Sequence, residues 1–379
     1  MLRFHHLRNE GRFMRSGRLR RLHMGMKRRM GLVDPPMLMP YLGYAGEGGA
    51  WLRGRVLEDE GVVSAPHTTS ALHNLWLTYK RFSTDQISGA RVSWQFGDRS
   101  GEVVSDDSGY IEVNTPGVAS GASPWLPVRL TLDHAPGYQP SSVMQEGLVR
   151  VVSPGARFVI VSDIDDTIIH TGANQLLRHW RVVTANSPES RIAFPGVAEF
   201  YHALAAGADG PETNPIFYVS SGPWNLFDLY DRFMALRGIP RGPMLLRNLS
   251  NDGLDWILRR HNGHKTRMIE ALLNAYPHLP FVLIGDSGQD DAAIYQDIAT
   301  RFPGRVALVH IHDIRPASPG REVDRQIAAL QENGIPVTLS ATLVEAARLA
   351  ESLGFVGSGT ADSVSMAVRR RIQGGQSPL

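Results

Sequence analysis

Three carboxylates and a hydroxyl crowd together in Asp163-Ile164-Asp165-Asp166-Thr167, directly after the run Arg157 to Val161. That run is β-branched and aromatic and is bounded by Pro154-Gly155, which reads as a buried strand. The carboxylates therefore gather at a strand's carboxyl end. Like charges at this spacing repel, and removing them from water is costly, so a cation is expected among them. Mg²⁺ prefers oxygen donors and is usually held by one or two carboxylates plus a substrate phosphate. Ligands of open α/β sheets bind outside the carboxyl ends of the strands. The competing reading is an acidic turn whose Asp or Thr oxygens cap a helix.

Two further strand ends carry groups suited to the same chemistry. Pro215 to Val219 is apolar and ends in Ser220-Ser221-Gly222, while Phe281 to Ile284 ends in Gly285-Asp286-Ser287-Gly288-Gln289-Asp290-Asp291. Between them lies Lys265, ahead of a helix expected over 266–275. Only Lys27, Lys80 and Lys265 are lysines among 39 basic residues, so arginine is the default cation of this chain. A retained lysine points to a place where a compact ammonium serves better than a planar fork.

The pattern Asp-x-Asp-x-Thr, the Ser220 hydroxyl, Lys265 and the acidic loop at Asp286 resemble, in order, the four motifs of the haloacid-dehalogenase (HAD) phosphohydrolase superfamily. More narrowly, Ser162–Thr167, Tyr218–Leu226 and Leu283–Gln289 resemble the actin-patch-associated phosphatidate phosphatases and their bacterial relatives. So do Tyr276-Pro277-x-Leu279-Pro280-Phe281 and Phe302-Pro303-Gly304-Arg305-Val306. The likeness spans residues 40–355 and is most specific over 157–315. It implies Mg²⁺-dependent phosphomonoester hydrolysis through an aspartyl-phosphate, with Asp163 as nucleophile and Asp165 as general acid and base. Thr167 would orient Asp165, Ser220 and nearby amides would hold the phosphoryl oxygens, and Lys265 would offset charge. Side chains of Asp163 and Asp286 would ligate the metal, with the Asp165 carbonyl. The second acid of the last motif is Asp291 by resemblance, although Asp290 is acidic too. Ser221, Asn225 and Asp166 are further candidates. Phosphatidate is the substrate the resemblance implies. A soluble phosphomonoester or phosphoprotein is the alternative within enzymes, and a non-catalytic, membrane-recruited scaffold is the alternative class.

The elements that must position these groups divide the chain in two. Short alternating segments at 51–57, 75–79, 90–96, 110–113, 126–132 and 147–152, separated by Gly and Asp turns, predict a β-sandwich over 41–152. His67 and His73 within it lack partners at ligand spacing and read as surface residues. From 153 to 355 strands alternate with helices, which predicts a parallel sheet covered on both faces; the resemblance implies that it is a HAD-like α/β catalytic domain. Strands are expected at 157–162, 215–220, 243–246, 280–285, 305–310 and 336–339. Helices are expected at 197–206, 224–236, 265–275, 289–299, 321–332 and 342–353. The interval 171–195 is long for a simple connection; by resemblance it is a cap or flap that could turn Arg178 and Trp180 toward substrate, while packing within an ordinary insertion is the preferred reading of these two residues. The stretch 248–264 reads as an irregular excursion, and 356–379 as a mobile tail.

Composition constrains the setting. Hydrophobic residues make up 42 % of the 379 and the formal net charge is +2, ordinary values for a globular chain. No cysteine is present, which excludes disulfides, thiolate chemistry and cysteine-ligated zinc. No apolar run is long enough to span a bilayer. These features lead to an expected cytoplasmic location with peripheral membrane contact. Residues 1–40 are expected to be a disordered basic arm, with internal starts at Met24, Met26 or Met30 in view. Its arginines could touch anionic lipid. Little aromatic interleaving accompanies them, and no nucleic-acid role is expected.

Overall fold

Alternation in the first part of the chain becomes sheet because each strand has one apolar face to hide. In the computed structural model, which describes residues 34–59, 85–117, 123–139, 142–169, 193–208, 210–248, 262–314 and 321–373, eight strands form one sheet. They are β1 (Pro36–Pro40), β2 (Leu42–Gly46), β3 (Gly49–Glu58), β4 (Arg91–Phe96), β5 (Arg99–Val104), β6 (Tyr110–Thr115), β7 (Trp125–His134) and β8 (Val143–Arg150). The order is β1-β3-β2-β8-β7-β4-β5, with β6 beside β3. Every pairing is antiparallel except β2 with β8. Val128, Leu130 and Leu132 of β7 alternate inward, as do Ile111 and Val113 of β6.

Three of these strands escape the sequence pattern. β5 is almost wholly exposed and owes its conformation to pairing with β4. β1 extends sheet order into the expected basic arm, so ordered structure begins by residue 36 rather than after 40. β2 carries small residues that admit close neighbours: a Cβ on Gly46 would lie 2.5 Å from the Ala275 carbonyl oxygen. The segments 75–79, His67 and His73 lie outside the described residues.

The second sheet follows the expected strands closely. It contains β9 (Val159–Ser162), β10 (Ile216–Pro223), β11 (Met244–Arg247), β12 (Phe281–Asp286), β13 (Val306–His312) and β14 (Val337–Ser340). All are parallel, in the order β11-β10-β9-β12-β13-β14. The connecting helices are α1 (Val197–Ala206), α2 (Phe227–Leu236), α3 (Asn262–Ala275), α4 (Asp291–Arg301), α5 (Glu322–Glu332) and α6 (Leu343–Ser352). A short 3₁₀ turn, Trp224–Leu226, precedes α2. Sequence direction reverses between β9 and β12, the place where a crevice opens at the carboxyl edge of such a sheet.

Two differences from expectation concern the periphery. Residues 360–373 form a helix, α7 (Thr360–Gln373), where a mobile tail is expected. Val364 and Val368, one turn apart, are buried, and α7 packs on α6 and α1; two valines among serines and arginines make too thin a stripe to read from sequence. The two sheets also share a core. Tyr41 stacks on Trp224 with ring centroids 4.6 Å apart, the Tyr276 hydroxyl donates to the Ala45 carbonyl at 2.9 Å, and Glu47 N–H donates to the Ala275 carbonyl.

Candidate active site

Adjacent parallel strands bring the first and last acidic motifs side by side. Val161 and Ser162 of β9 pair in register with Leu283 and Ile284 of β12, and the Asp163 amide donates to the Ile284 carbonyl at 2.9 Å. Asp163 and Asp286 thus emerge together at the switch point of the sheet. Lys265, in the first turn of α3 and almost wholly buried, places its Nζ 2.8 Å from Asp163 Oδ1 and 2.6 Å from Asp291 Oδ1. One ammonium therefore bridges two carboxylates.

The acidic loop is organised around Asp286. Its Oδ1 accepts from the amides of Gly288 (2.6 Å) and Gln289 (3.0 Å), and its Oδ2 from Gln289 Nε2 (3.0 Å). Asp291 Oδ2 in turn accepts from the Asp286 amide at 3.2 Å. A Cβ on Gly285 would stand 2.5 Å from that Asp291 oxygen, so only glycine lets Asp291 fold back under the strand. Asp291 is fully buried, while Asp290, at the start of α4, is exposed. Of the two acids left open by sequence, the structure brings Asp291 into the cluster.

The remaining expected residues converge too, but with different partners. Thr167 Oγ1 donates to Asp163 Oδ2 at 3.3 Å; its partner is the expected nucleophile rather than Asp165. Ser220 Oγ donates to Asp165 Oδ2 at 3.0 Å and accepts from the Gly222 amide at 2.9 Å. Ser220 thus braces Asp165 in this structure, whereas a contact to phosphoryl oxygens is the sequence expectation. The Asp165 carbonyl accepts from Gln289 Nε2 at 3.3 Å. Asp166 adopts a left-handed φ of 56°, a strained setting for a residue with a side chain. The Ser221 hydroxyl is buried without a hydrogen-bond partner among the described residues. Arg178 and Trp180 lie outside them.

One contributor has no signature in the sequence. The Tyr230 hydroxyl, from α2, donates to both Asp165 oxygens at 3.4 and 3.3 Å. Gly222 makes room for it, since a Cβ there would approach the Tyr230 oxygen to 2.7 Å. Tyr230 reads as one more apolar-face aromatic of an amphipathic helix; only the fold turns it onto a carboxylate.

The electrostatics follow from burial. Desolvation is the largest influence on Asp163 and raises its pKa well above the usual carboxylate range; Lys265 opposes it, while Asp291, Asp286 and Asp165 add to it. Asp286 is pushed up to about 8, first by burial and then by Asp291, against Lys265 and the Gly288 amide. Burial works against the charge of Lys265, yet Asp163, Asp291 and Asp286 outweigh it and hold the ammonium above its ordinary value. Ligand atoms of Asp163, Asp286 and Asp291 lie within 4.8 Å of one another. Ionising all three buried carboxylates against one ammonium would leave unbalanced negative charge, which a cation would offset, and an all-oxygen donor set suits a hard divalent cation. The residues present fit such an ion.

A parallel α/β sheet with carboxylates, a buried lysine and a hydroxyl-bearing strand end gathered at its switch point is an enzyme architecture. Residues 158–313 match the family profile described as phosphatidate phosphatase APP1, catalytic domain. The chain is 32 % identical to the phosphatidate phosphatase APP1 of Saccharomyces cerevisiae over 153 residues, 40 % of this chain and 25 % of that protein. It is 26 % identical to the uncharacterized protein C29B5.04c of Schizosaccharomyces pombe over 158 residues, 41 % of this chain and 25 % of that one. The chain thus matches about a quarter of the length of these curated relatives. The similarity is confined to this segment, which resembles the catalytic domain of the APP1-like phosphatidate phosphatases. A carbohydrate acetylesterase from Xanthomonas citri superposes with a TM-score of only 0.31 at 11 % identity, over 89 % of this chain and 74 % of that one, too weak a likeness to bear on fold or function.

Proposed function

We propose that this chain is a Mg²⁺-dependent phosphomonoester hydrolase of HAD-like architecture that acts through an aspartyl-phosphate and takes phosphatidate as substrate. The observation that carries the reading is the buried set Asp163, Lys265, Asp286 and Asp291 at the carboxyl edge of β9 and β12, inside the segment that matches the phosphatase family.

In this reading an Asp163 oxygen attacks phosphorus while the bond to the leaving alcohol oxygen breaks, and Asp165 gives that oxygen its proton. Water then attacks the aspartyl-phosphate, passes its proton to Asp165, and the phosphorus–Asp163 bond breaks to free inorganic phosphate. Covalent catalysis of this kind replaces one difficult displacement by two easier ones, and the proton transfers contribute typically ~10²–10⁴-fold. Asp165 is half-buried, and the hydroxyls of Ser220 and Tyr230 keep its carboxylate oriented toward the leaving group. Lys265 fixes Asp163 and offsets charge on the phosphoryl oxygens. Asp163 and Asp286 would hold Mg²⁺, with Asp291 acting through Lys265 and the Asp286 amide, because both of its oxygens already accept bonds there. The ion, when bound, supplies positive charge for the phosphoryl oxygens. The eight-stranded sheet, folded as a β-sandwich around Leu52, Val92, Val113, Val128 and Val149, supplies none of these groups.

The test is turnover of p-nitrophenyl phosphate by wild type and Asp163→Asn, with Mg²⁺ and with EDTA, followed by a substrate panel that includes phosphatidate. Wild-type turnover only with Mg²⁺, and background turnover for Asp163→Asn, are expected. Substantial turnover by folded Asp163→Asn would falsify the covalent mechanism. A preference for soluble phosphoesters over phosphatidate would overturn the lipid assignment.

A further inference from the structure

The helix that replaces the expected tail has a consequence for how a lipid substrate would be met. α6 follows β14 and so runs back from the carboxyl edge of the parallel sheet. The Glu351 carboxylate near its end accepts from the amides of Gly359 and Ala361, both at 2.9 Å, which fixes the start of α7 beside the end of α6. α7 therefore returns toward the carboxyl edge. Its 14 residues against the 10 of α6 make it about 6 Å longer at 1.5 Å per residue. Its last turn accordingly reaches past the level at which α6 begins.

Side-chain contacts place that turn on the active-site side. Arg371 donates to the Ala193 carbonyl at 3.1 Å. Ala193 bridges to Ile169, and Ile169 to Asp165. The neighbouring Phe194 ring lies 4.2 Å from that of His312, whose register partner is Asp286. The end of α7 thus sits on the same edge as the carboxylate cluster.

Exposed leucines stand at the ends of α2 (Leu236) and α6 (Leu353) as well, but the end of α7 adds three consecutive arginines, Arg369 to Arg371. Ile372 in the last turn and Met366 nearly two turns earlier are each 50 % exposed, two of the five large hydrophobics at least that exposed among the described residues. Arg369 and Arg370 are exposed beside them and make no ion pair among the described residues. Arg371 has its pKa lowered by burial first and then by the nearby Arg237 guanidinium, so another cation stands close by. Complementing the helix dipole accounts for arginines at a helix C-terminus, but not for exposed Ile and Met near them. Arginines flanked by exposed apolar residues, as in Met366-Ala367-Val368-Arg369-Arg370-Arg371-Ile372, form the pattern of a surface that enters the headgroup layer of an anionic bilayer.

We propose that the C-terminal end of α7, through Arg369, Arg370 and Ile372, docks on an anionic lipid bilayer lying across the carboxyl edge of the sheet and so brings lipid headgroups to the catalytic cluster. This rests on the lipid-phosphatase reading for its purpose, though not for its geometry. Charge complementarity selects the occupant: bilayer phosphates pair with arginines that make no ion pair among the described residues, while Ile372 reaches the acyl boundary.

The test compares the full chain with Arg369→Gln/Arg370→Gln and with a control of equal charge, Arg91→Gln/Arg129→Gln, at exposed positions of the other sheet. Binding is measured to vesicles of phosphatidylcholine alone and with phosphatidylserine, which supplies anionic charge without being the substrate. At about 1 kcal/mol per basic residue near an anionic surface, the α7 variant is expected to bind anionic vesicles roughly 30-fold more weakly. The control should stay within about twofold of wild type, and neutral vesicles should bind none of them. Because the chain has no cysteine, Ile372→Cys carrying an environment-sensitive dye reports insertion directly. Its emission should shift blue on anionic vesicles, whereas dye on Met144→Cys should not change. Equal binding by wild type and the α7 variant, equal loss in the control, no binding by wild type, or no blue shift at position 372 would each overturn the proposal. Turnover of p-nitrophenyl phosphate should be the same in wild type and the α7 variant. Failure of wild type to hydrolyse it would sink the enzymatic reading while leaving the vesicle result to judge docking alone.

Discussion

Asp286→Asn is expected to stabilise the metal-free protein at pH 8 and not at pH 4. The amide keeps the shape of the side chain, and its oxygen can still accept from Gly288 and Gln289. Charge is what changes. Asp286 has a folded pKa near 8 against an ordinary value of 3.8, so its ionisation disfavours the folded state. The sign follows from linkage: below pH 4 the carboxyl is protonated in both states and contributes nothing. Between pH 4 and 8 the unfolded chain ionises and the folded one does not, and stability falls by about 1.4 kcal/mol per pH unit. Across that window the ceiling is about 6 kcal/mol. Two effects reduce it: Asn cannot accept from Gln289 Nε2 in place of Oδ2, a loss of about 1 kcal/mol, and the wild-type cluster shares protons with Asp163. A net gain of about 2–4 kcal/mol at pH 8 and a loss of about 1 kcal/mol at pH 4 are expected. Urea denaturation of both proteins in EDTA across this range measures the difference. With Mg²⁺ at 100 times its dissociation constant the wild type should recover about 2.7 kcal/mol, and the variant much less. A variant that is less stable than wild type at pH 8 in EDTA would refute the view of Asp286 as a charge held at a cost for a cation.

Lys265→Met should have the opposite sign. It removes the ammonium bonded to both Asp163 and Asp291 and should cost about 3–5 kcal/mol at pH 8, less at low pH, as followed by thermal unfolding. Tyr230→Phe removes the hydroxyl on Asp165; kcat should fall about tenfold for an alkyl phosphate, within the worth of general acid catalysis, and far less for p-nitrophenyl phosphate, whose leaving group hardly needs a proton. A chain beginning at Ser153 would lay bare faces of Phe217, Trp224, Phe227 and Tyr276 that pack against Tyr41 and Tyr44. Exposing roughly 400 Å² of ring costs ~10 kcal/mol at 25 cal/mol per Å², comparable to a domain's whole stability. It should aggregate or unfold on urea titration well before the full chain.

Local chemistry explains why so much of the catalytic half is legible from sequence. Its strands are continuous apolar runs because both faces are covered, and each run stops where carboxylates or hydroxyls begin, so Asp163 and Asp286 mark strand ends by composition alone, while β10 continues past Ser220 to Pro223. Lys265 stands out because arginine does every other cationic task nearby. Resemblance adds the order of the motifs and their assignment to one reaction. Tertiary structure decides what depends on distance between parts remote in sequence. It selects Asp291 over Asp290, because only one of two adjacent acids can turn beneath Gly285 to reach Lys265. It gives Thr167 to Asp163 and Ser220 to Asp165, and it adds Tyr230, whose role no helical periodicity reveals. It joins the two sheets through Tyr41, Tyr276 and Trp224, since aromatic residues that look like separate cores in sequence bury more surface against one another. It also makes a helix of 360–373, where two valines acquire meaning only from the groove between α1 and α6 that covers them.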